Sequence, residues 1–493
     1  MLGLGNGMQD IKLRALRGGL AKLFGQGTNF ALRLAFLVVA ARLLEPKDFG
    51  LVAMVTVVTA TLELFTNAGL SSAAVQRETI SEEQVSTLFW INIAVGVVLA
   101  LVCVAIAPAL VAFYSEPRLF WVTITMGAGF LCTSAGVQHN AMMQRQLRYV
   151  ALAAIEVVAQ IVSISVGIGM AFAGFQYWSL VGVAIALPAV TTTGVWIATG
   201  WIPGGPHRNA GIRSLLHFGG TLTANGAISY FTYNFDKFIL GRVWGAAPLG
   251  HYGVASQLIN TTTSNLNAAI GTVIFATLSR LQNDPLRFRG YFLKAYSLNT
   301  AVTLPITMFL AAFATDIIYV MLGAKWSDAA IYFRALAPAV LVFGVINPLG
   351  WLVLASGLYI RSFKISLVIA VLVITACLIG VQYGPRGVAI GFSAAMVIWM
   401  VPHILWCLHG SSITPFDLLR VASRPLLSAV VAVLAAYAVR ASLGNLQTPV
   451  ICLIVEGAVM FVVYPAMLLA VLGEKDFYFD LLKALGASDV RPK

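Results

Sequence analysis

The sequence predicts an all-α polytopic membrane protein with about fourteen transmembrane helices. Three observations carry that reading. Of 493 residues, 59% are hydrophobic and only 10% are charged, against about 25% charged in a soluble domain; mean hydropathy is +0.88. Apolar runs of roughly the 20 residues a bilayer requires recur from end to end, without the short alternating segments of a barrel. The 31 Lys and Arg are unevenly distributed between the connecting segments. With the helices laid out below, 21 fall on the side of the N-terminus, 7 on the other side and 3 inside helices. The positive-inside rule then accounts for the net charge of +12 without nucleic acid, and it places both termini in the cytoplasm.

The expected spans are 19–43, 48–70, 88–113, 119–140, 150–173, 177–201, 214–240, 249–274, 291–315, 329–355, 360–381, 387–409, 424–441 and 449–472. The outward connections are a handful of residues each. The longer inward ones are 71–87, 202–213, 275–290 and 410–423, and Glu82–Phe89 is expected to lie along the membrane surface. Pro203, Gly204, Gly205 and Pro206 mark a hinge after six spans. Six more follow before a final pair. The expected organisation is therefore a six-helix lobe over 1–205, a second over 206–410, and two further helices with a cytoplasmic tail over 411–493. The first eighteen residues are basic and Gly-rich, with no short apolar region or cleavage site of a removable signal.

The two lobes read as repeats. The turn Ala41–Leu51 is echoed in Tyr233–Tyr252, with Arg42 and Arg242, and Gly50 and Gly250, each 200 positions apart. An even number of spans per repeat keeps the two in the same orientation, related by an axis along the membrane normal.

Polar residues concentrate on the corresponding spans of both halves. Span 1 carries Lys22, Gln26, Asn29 and Arg33; span 2 carries Thr56, Thr59, Glu63 and Asn67. Spacings of three and four put each set on one helical face. Span 7 repeats this with Thr221, Asn225, Ser229, Thr232 and Asp236, and span 8 with Gln257, Asn260, Thr261, Ser264 and Asn267. A single Thr, Ser or Asn in such a helix is ordinarily interhelical glue. Ionisable residues are different. Arg33 sits near mid-membrane, where an Arg costs about 2.5–3.5 kcal/mol on an insertion scale. Water, an anionic ligand or a carboxylate would each offset that. Glu63 is the nearest carboxylate by helix order but lies roughly 10 Å away in depth at 1.5 Å per residue, so no salt bridge between them is assumed. Asp236 and Lys237 are adjacent and point to different faces. Glu156 and Arg334 lie near helix ends, and Glu456 stands isolated in the last span.

Several chemistries find no support. The five cysteines and six histidines show no metal-ligand spacing, and there is no P-loop. No metal or cofactor is expected, and the chain reads as a transporter rather than an enzyme. A membrane glycosyltransferase needs a sizeable outward loop with catalytic groups. Here the outward segments hold no His and no paired carboxylates beyond Glu45 with Asp48 and Asp328 near Asp316.

Four motifs carry a family resemblance: A-R-L-L-E-P-K-D-F-G (41–50), M-Q-R-Q-L-R-Y (143–149), G-F-Q-Y-W-S-L-V (174–181) and N-F-D-K-F-I-L-G-R-V-W-G-A-A-P-L-G-H-Y-G (234–253). Together, over roughly residues 10–475, the chain resembles a polysaccharide-transport flippase of the multidrug/oligosaccharidyl-lipid/polysaccharide superfamily. The resemblance implies two six-helix bundles around a cavity lined by spans 1, 2, 7 and 8. It implies an undecaprenyl-pyrophosphate-linked oligosaccharide as substrate in the bacterial inner membrane, turned over by alternating access. Other implied partners are the lipid bilayer and a polysaccharide polymerase or export complex, with no nucleic acid. Carried over by position, Arg33 is the first choice to hold the pyrophosphate, with Lys22 near the inner mouth. Arg145 and Arg148 fall in the cytoplasmic elbow. Asp236 takes the acidic position of span 7, beside Lys237. Gln26, Asn29, Asn225 and Asn260 would meet sugar. The alternative within the same fold is an ion-coupled drug or metabolite antiporter, with Glu63 or Asp236 as its coupling carboxylate.

Overall fold

The computed structural model describes residues 4–67, 81–206, 223, 225–282, 284–443 and 448–471, with side chains from residue 21 onward except at 23, 67, 261–270, 272–273, 276, 359, 443 and 471. Among them there is no strand. The helices are α1 (Leu4–Leu43), α2 (Pro46–Asn67), α3 (Glu82–Tyr114), α4 (Leu119–Arg145), α5 (Tyr149–Phe172) and α6 (Trp178–Thr199). A helical stretch over 225–233 precedes α7 (Phe235–Trp244) and α8 (Ala246–Arg280). Then come α9 (Pro285–Ala312), α10 (Ala314–Leu322), α11 (Ser327–Ala355), α12 (Tyr359–Gly380), α13 (Gly384–Leu408), α14 (Pro415–Leu443) and α15 (Pro449–Pro465). Among the described residues, eleven helical stretches are long and apolar enough to cross a membrane, with Ile360–Leu408 counted as one. Span 7 is described only in part and is interrupted by a turn at Asn234.

The expected surface stretch at 82–89 is corrected. These residues are the first two turns of α3, which runs for 33 residues, about 50 Å at 1.5 Å per residue. The cause is a capping box: Ser81 Oγ accepts from Gln84 N, and Gln84 Oε1 accepts from Ser81 N. Ser86, Thr87, Leu88 and Phe89 are all buried, so this is a packed helix start and not an amphipathic float. Helix α14 likewise begins earlier than expected, at Pro415. Asp417 in its first turn accepts from Arg289 at 2.7 Å and from Thr414 N at 2.9 Å.

The chain divides into two compact units. The first comprises 1–254 with 366–391, the second 255–365 with 392–493. In the first unit α3 packs on α4, α5 on α6, α4 on α6, α1 on α5, and α2 on α4 and α7. Close approach depends on small residues, as in membrane bundles generally. A Cβ at Gly136 of α4 would strike Thr192 Oγ1 of α6. The segment after α6 is tied down: Trp90 Nε1 donates to Gly204 O at 2.8 Å and Gly204 N donates to Ser86 Oγ at 3.1 Å.

The α1–α2 and α7–α8 turns meet at two glycines. A Cβ at Gly50 would collide with the carbonyl of Ala246, and a Cβ at Gly250 with the carbonyl of Pro46. Positions 46 and 246, like 50 and 250, are 200 apart, so the contact is reciprocal between the two turns. Nearby, Phe113 stacks on Phe238 with ring centroids 4.7 Å apart, and Trp244 Nε1 donates to Val381 O at 3.0 Å.

In the second unit α9 packs on α11 and α14, and α14 on α15. Tyr464 OH donates to Ala301 O at 2.6 Å and Tyr437 OH to Ala312 O at 2.7 Å. Arg440 pairs with Asp316 and with Glu456, the latter at 2.6 Å. Glu456, isolated in the sequence, thus acquires a partner. Arg440 lies in the last turn of α14.

Candidate functional site

Three polar clusters stand out against the apolar helices of the first unit. The first joins α1 to α5. Arg33 Nε donates to Gln160 Oε1 at 3.2 Å. Lys22 Nζ stands 6.0 Å from the centroid of the Tyr149 ring. Glu156 lies within electrostatic reach of both Lys22 and Arg33. Tyr149, Glu156 and Gln160 are seven and four residues apart, one face of α5, and they meet the face of α1 that carries Lys22 and Arg33. Gln26 is exposed on α1, and Asn29 keeps a buried Oδ1 with no hydrogen-bond partner. Two cations face one carboxylate here, and Arg33 has committed one of its five N–H groups.

The second cluster is built by the break at Asn234. Asp236 is 2% exposed and accepts from Tyr252 OH at 2.5 Å and from Lys237 N at 2.8 Å. Lys237 turns the other way, its Nζ donating to Asn234 Oδ1 at 2.8 Å. The two charges therefore point apart, as the sequence reading expects. A carboxylate closed off in this way serves the packing of α7 on α8. Tyr252→Phe is expected to cost about 1–3 kcal/mol by removing a donor from a buried acceptor, measured as a lower melting temperature of the purified protein. An unchanged melting temperature would show that the hydroxyl contributes nothing.

The remaining expected site residues are dispersed. Asn225 is half-buried with an unpartnered Oδ1. Asn260 is exposed and donates to Ser256 Oγ at 3.1 Å. Thr221 and the side chains of Asn67, Thr261, Ser264 and Asn267 lie outside the described residues. Other flagged charges have structural work. Asp48 Oδ2 accepts from Glu45 N at 3.0 Å at the start of α2, and Arg148 Nη1 donates to Ala198 O at 2.8 Å. Among the described residues no three His, Cys, Asp or Glu side chains gather to hold a metal.

The third cluster is a cavity of about 650 Å³ between α2, α4 and α6. The sequence reading identifies its α2 side, Thr56, Thr59 and Glu63. It overlooks Thr133, Asn140 and Gln144 on α4 and Thr191 and Thr192 on α6, which line the same space. The signal was present: Thr133, Gly136, Asn140 and Gln144 follow the three-and-four spacing of one helical face.

The Escherichia coli (strain K12) lipopolysaccharide biosynthesis protein WzxC is 26% identical over 374 residues, 74% of this chain and 75% of that protein. Among solved structures, the lipid II flippase MurJ in an inward closed conformation superposes with a TM-score of 0.71 at 14% identity, covering 95% of this chain and 100% of that one. An inward-facing multidrug resistance MATE family transporter of the MOP superfamily gives 0.61 at 15% identity, over 79% and 97%. These likenesses show a shared fold. Residues 39–331, more than half of the sequence, match the family model described as polysaccharide biosynthesis protein, and the chain belongs to that family.

Proposed function

We infer that the protein is a flippase carrying polyprenyl-pyrophosphate-linked oligosaccharide, the undecaprenyl form, across the bacterial inner membrane for lipopolysaccharide or exopolysaccharide synthesis. It works by alternating access of two halves, 1–205 and 206–410, with 411–493 as two further helices and a tail. Both termini are cytoplasmic. The observation that carries this reading is the α1–α5 face, where Arg33 lies inside a candidate membrane span and Lys22 just before its start, both within reach of Glu156. A cation at the depth of Arg33 needs water or an anion beside it, and a pyrophosphate is such an anion. Membership of a polysaccharide biosynthesis family supports the same substrate class, and the fold is one that a lipid flippase also has. An oligosaccharide head needs a polar route, because each unsatisfied polar group in hydrocarbon costs several kcal/mol, while its prenyl tail stays in lipid.

Arg33→Ala is expected to lower surface polysaccharide roughly tenfold or more, since a hydrogen bond to a charged group contributes about 1.5–3 kcal/mol. The amount of protein in the membrane should not change. Arg33→Lys should restore only part of the output, because Lys keeps the charge and loses the forked donor geometry. Normal polysaccharide from Arg33→Ala would remove this residue from the site.

A further inference from the structure

The α2–α4–α6 cavity has a chemistry opposite to that of the α1–α5 face. Its lining holds no Lys, Arg or His, and Glu63 is the one ionisable side chain in it. Among the described residues no cation is paired with Glu63. The hydroxyls around it are all committed as donors. Thr56 donates to Val52 O at 2.8 Å, Thr59 to Val55 O at 3.2 Å, Thr133 to Gly129 O at 3.2 Å and Thr191 to Leu187 O at 2.8 Å, each back along its own helix. Thr192 donates across to Cys132 O at 2.7 Å. A hydroxyl has one hydrogen and two lone pairs, so each of these threonines has only acceptor capacity left for a ligand. Gln144 Nε2 spends one hydrogen on Asn140 Oδ1 at 2.7 Å, which leaves the amide of Asn140 and the second hydrogen of Gln144 as the donors. Acceptors dominate, and they surround a carboxylate.

We propose that this cavity is a binding site for a protonated amine. An anion finds no counter-charge here, so the pyrophosphate of a lipid-linked substrate is excluded. A neutral polyol would satisfy the threonine lone pairs but bring no counter-charge to Glu63, which is exposed at the cavity. An ammonium group answers both: it offers three donors and no acceptor, together with the counter-charge that Glu63 does not find in the cavity lining. The volume lies within the range of pockets that enclose small organic ligands, so an amino group borne on a sugar ring fits as well as a free amine. The proposal does not depend on the flippase reading, because the site is complete within one unit and its occupancy is measurable without transport.

The test is equilibrium dialysis of radiolabelled glucosamine against the full-length protein in lipid nanodiscs, with unlabelled competitors. N-acetylglucosamine, the same ring without the charge, is expected to compete at least tenfold less well. Glu63→Gln, which is nearly isosteric, is expected to weaken glucosamine binding at least tenfold and to abolish the preference over N-acetylglucosamine. Thr191→Val with Thr192→Val removes acceptors and keeps the carboxylate, and should weaken binding while retaining the preference. Both variants are checked for a native elution profile. Methylammonium separates two sources of the same chemistry. If it competes as well as glucosamine, the site takes free amines; if it competes poorly, the site takes amino sugars; either result upholds the proposal. Absence of glucosamine binding, equal binding of the two sugars, or an undiminished preference in Glu63→Gln would overturn it.

Discussion

Gly50→Val or Gly250→Val is expected to abolish polysaccharide export and to lower the stability of the purified protein substantially. Each substitution drives a side chain into a backbone carbonyl, that of Ala246 or that of Pro46. A flexible side chain in the way would rotate aside, but a helical carbonyl moves only with its helix. Overpacking typically costs about 1–3 kcal/mol, and a rigid obstacle puts these two positions at the upper end of that range. The contact is reciprocal, so one valine already forces the two turns apart. The second then has less to disturb. Gly50→Val with Gly250→Val should therefore destabilise by clearly less than the sum of the single effects, the signature of two positions reporting on one interface. Thermal unfolding of the three variants in the same lipid decides the matter. Strict additivity would mean that the two glycines act on separate contacts. Alanine at either position is the milder probe and should fall between wild type and valine.

That contact was partly legible in the sequence. The spacing of 200 between Gly50 and Gly250, and between Arg42 and Arg242, announces a repeat, and a repeat with close-packed turns predicts a symmetric meeting of small residues. The spans were legible for a simple reason: apolar length is dictated by the bilayer. Helix starts were not, because a start depends on caps and not on hydropathy. Ser81 with Gln84 draws the first two turns of α3 into the helix, and those turns are too polar for any hydropathy window to include.

The site was legible to the extent that charge in a membrane helix is conspicuous. Arg33 and Glu63 declare themselves by their cost, and their separation into different clusters agrees with the difference in depth counted along the helices. Their surroundings do not declare themselves. Gln160 is 127 residues from Arg33, and nothing local in α5 marks it as the partner. The threonines of α4 and α6 pass as packing residues one at a time. Their significance appears only when three helices bring them around one space and every hydroxyl hydrogen is found to be used. The sign proposed for each site, anion-seeking at α1–α5 and cation-seeking at α2–α4–α6, thus rests on hydrogen-bond bookkeeping in three dimensions.

The second large effect is expected at Arg440, which meets Asp316 and Glu456 together. Glu456 is 1% exposed and Asp316 13%, and Glu456 Oε2 has no hydrogen-bond partner. One buried carboxylate, Glu456, and one half-buried, Asp316, around a single guanidinium already carry an excess of negative charge. Arg440→Met removes the only cation that pairs with them among the described residues, and stranding a buried charge costs about 3–5 kcal/mol. The melting temperature of Arg440→Met is expected to fall further than that of any other single substitution in α14 or α15. The same physics predicts a rescue. Adding Glu456→Leu and Asp316→Asn to Arg440→Met deletes the stranded charges, and replacing a whole buried ionic cluster by apolar or neutral groups is often neutral or stabilising. The triple variant should recover most of the lost stability, although Arg440→Met alone does not. Glu456→Gln in the otherwise native chain should be mild, because it removes the excess charge and leaves the Arg440–Asp316 pair intact. A triple variant as unstable as Arg440→Met would show that the Arg440 side chain supports α14 by packing, with its charge contributing little.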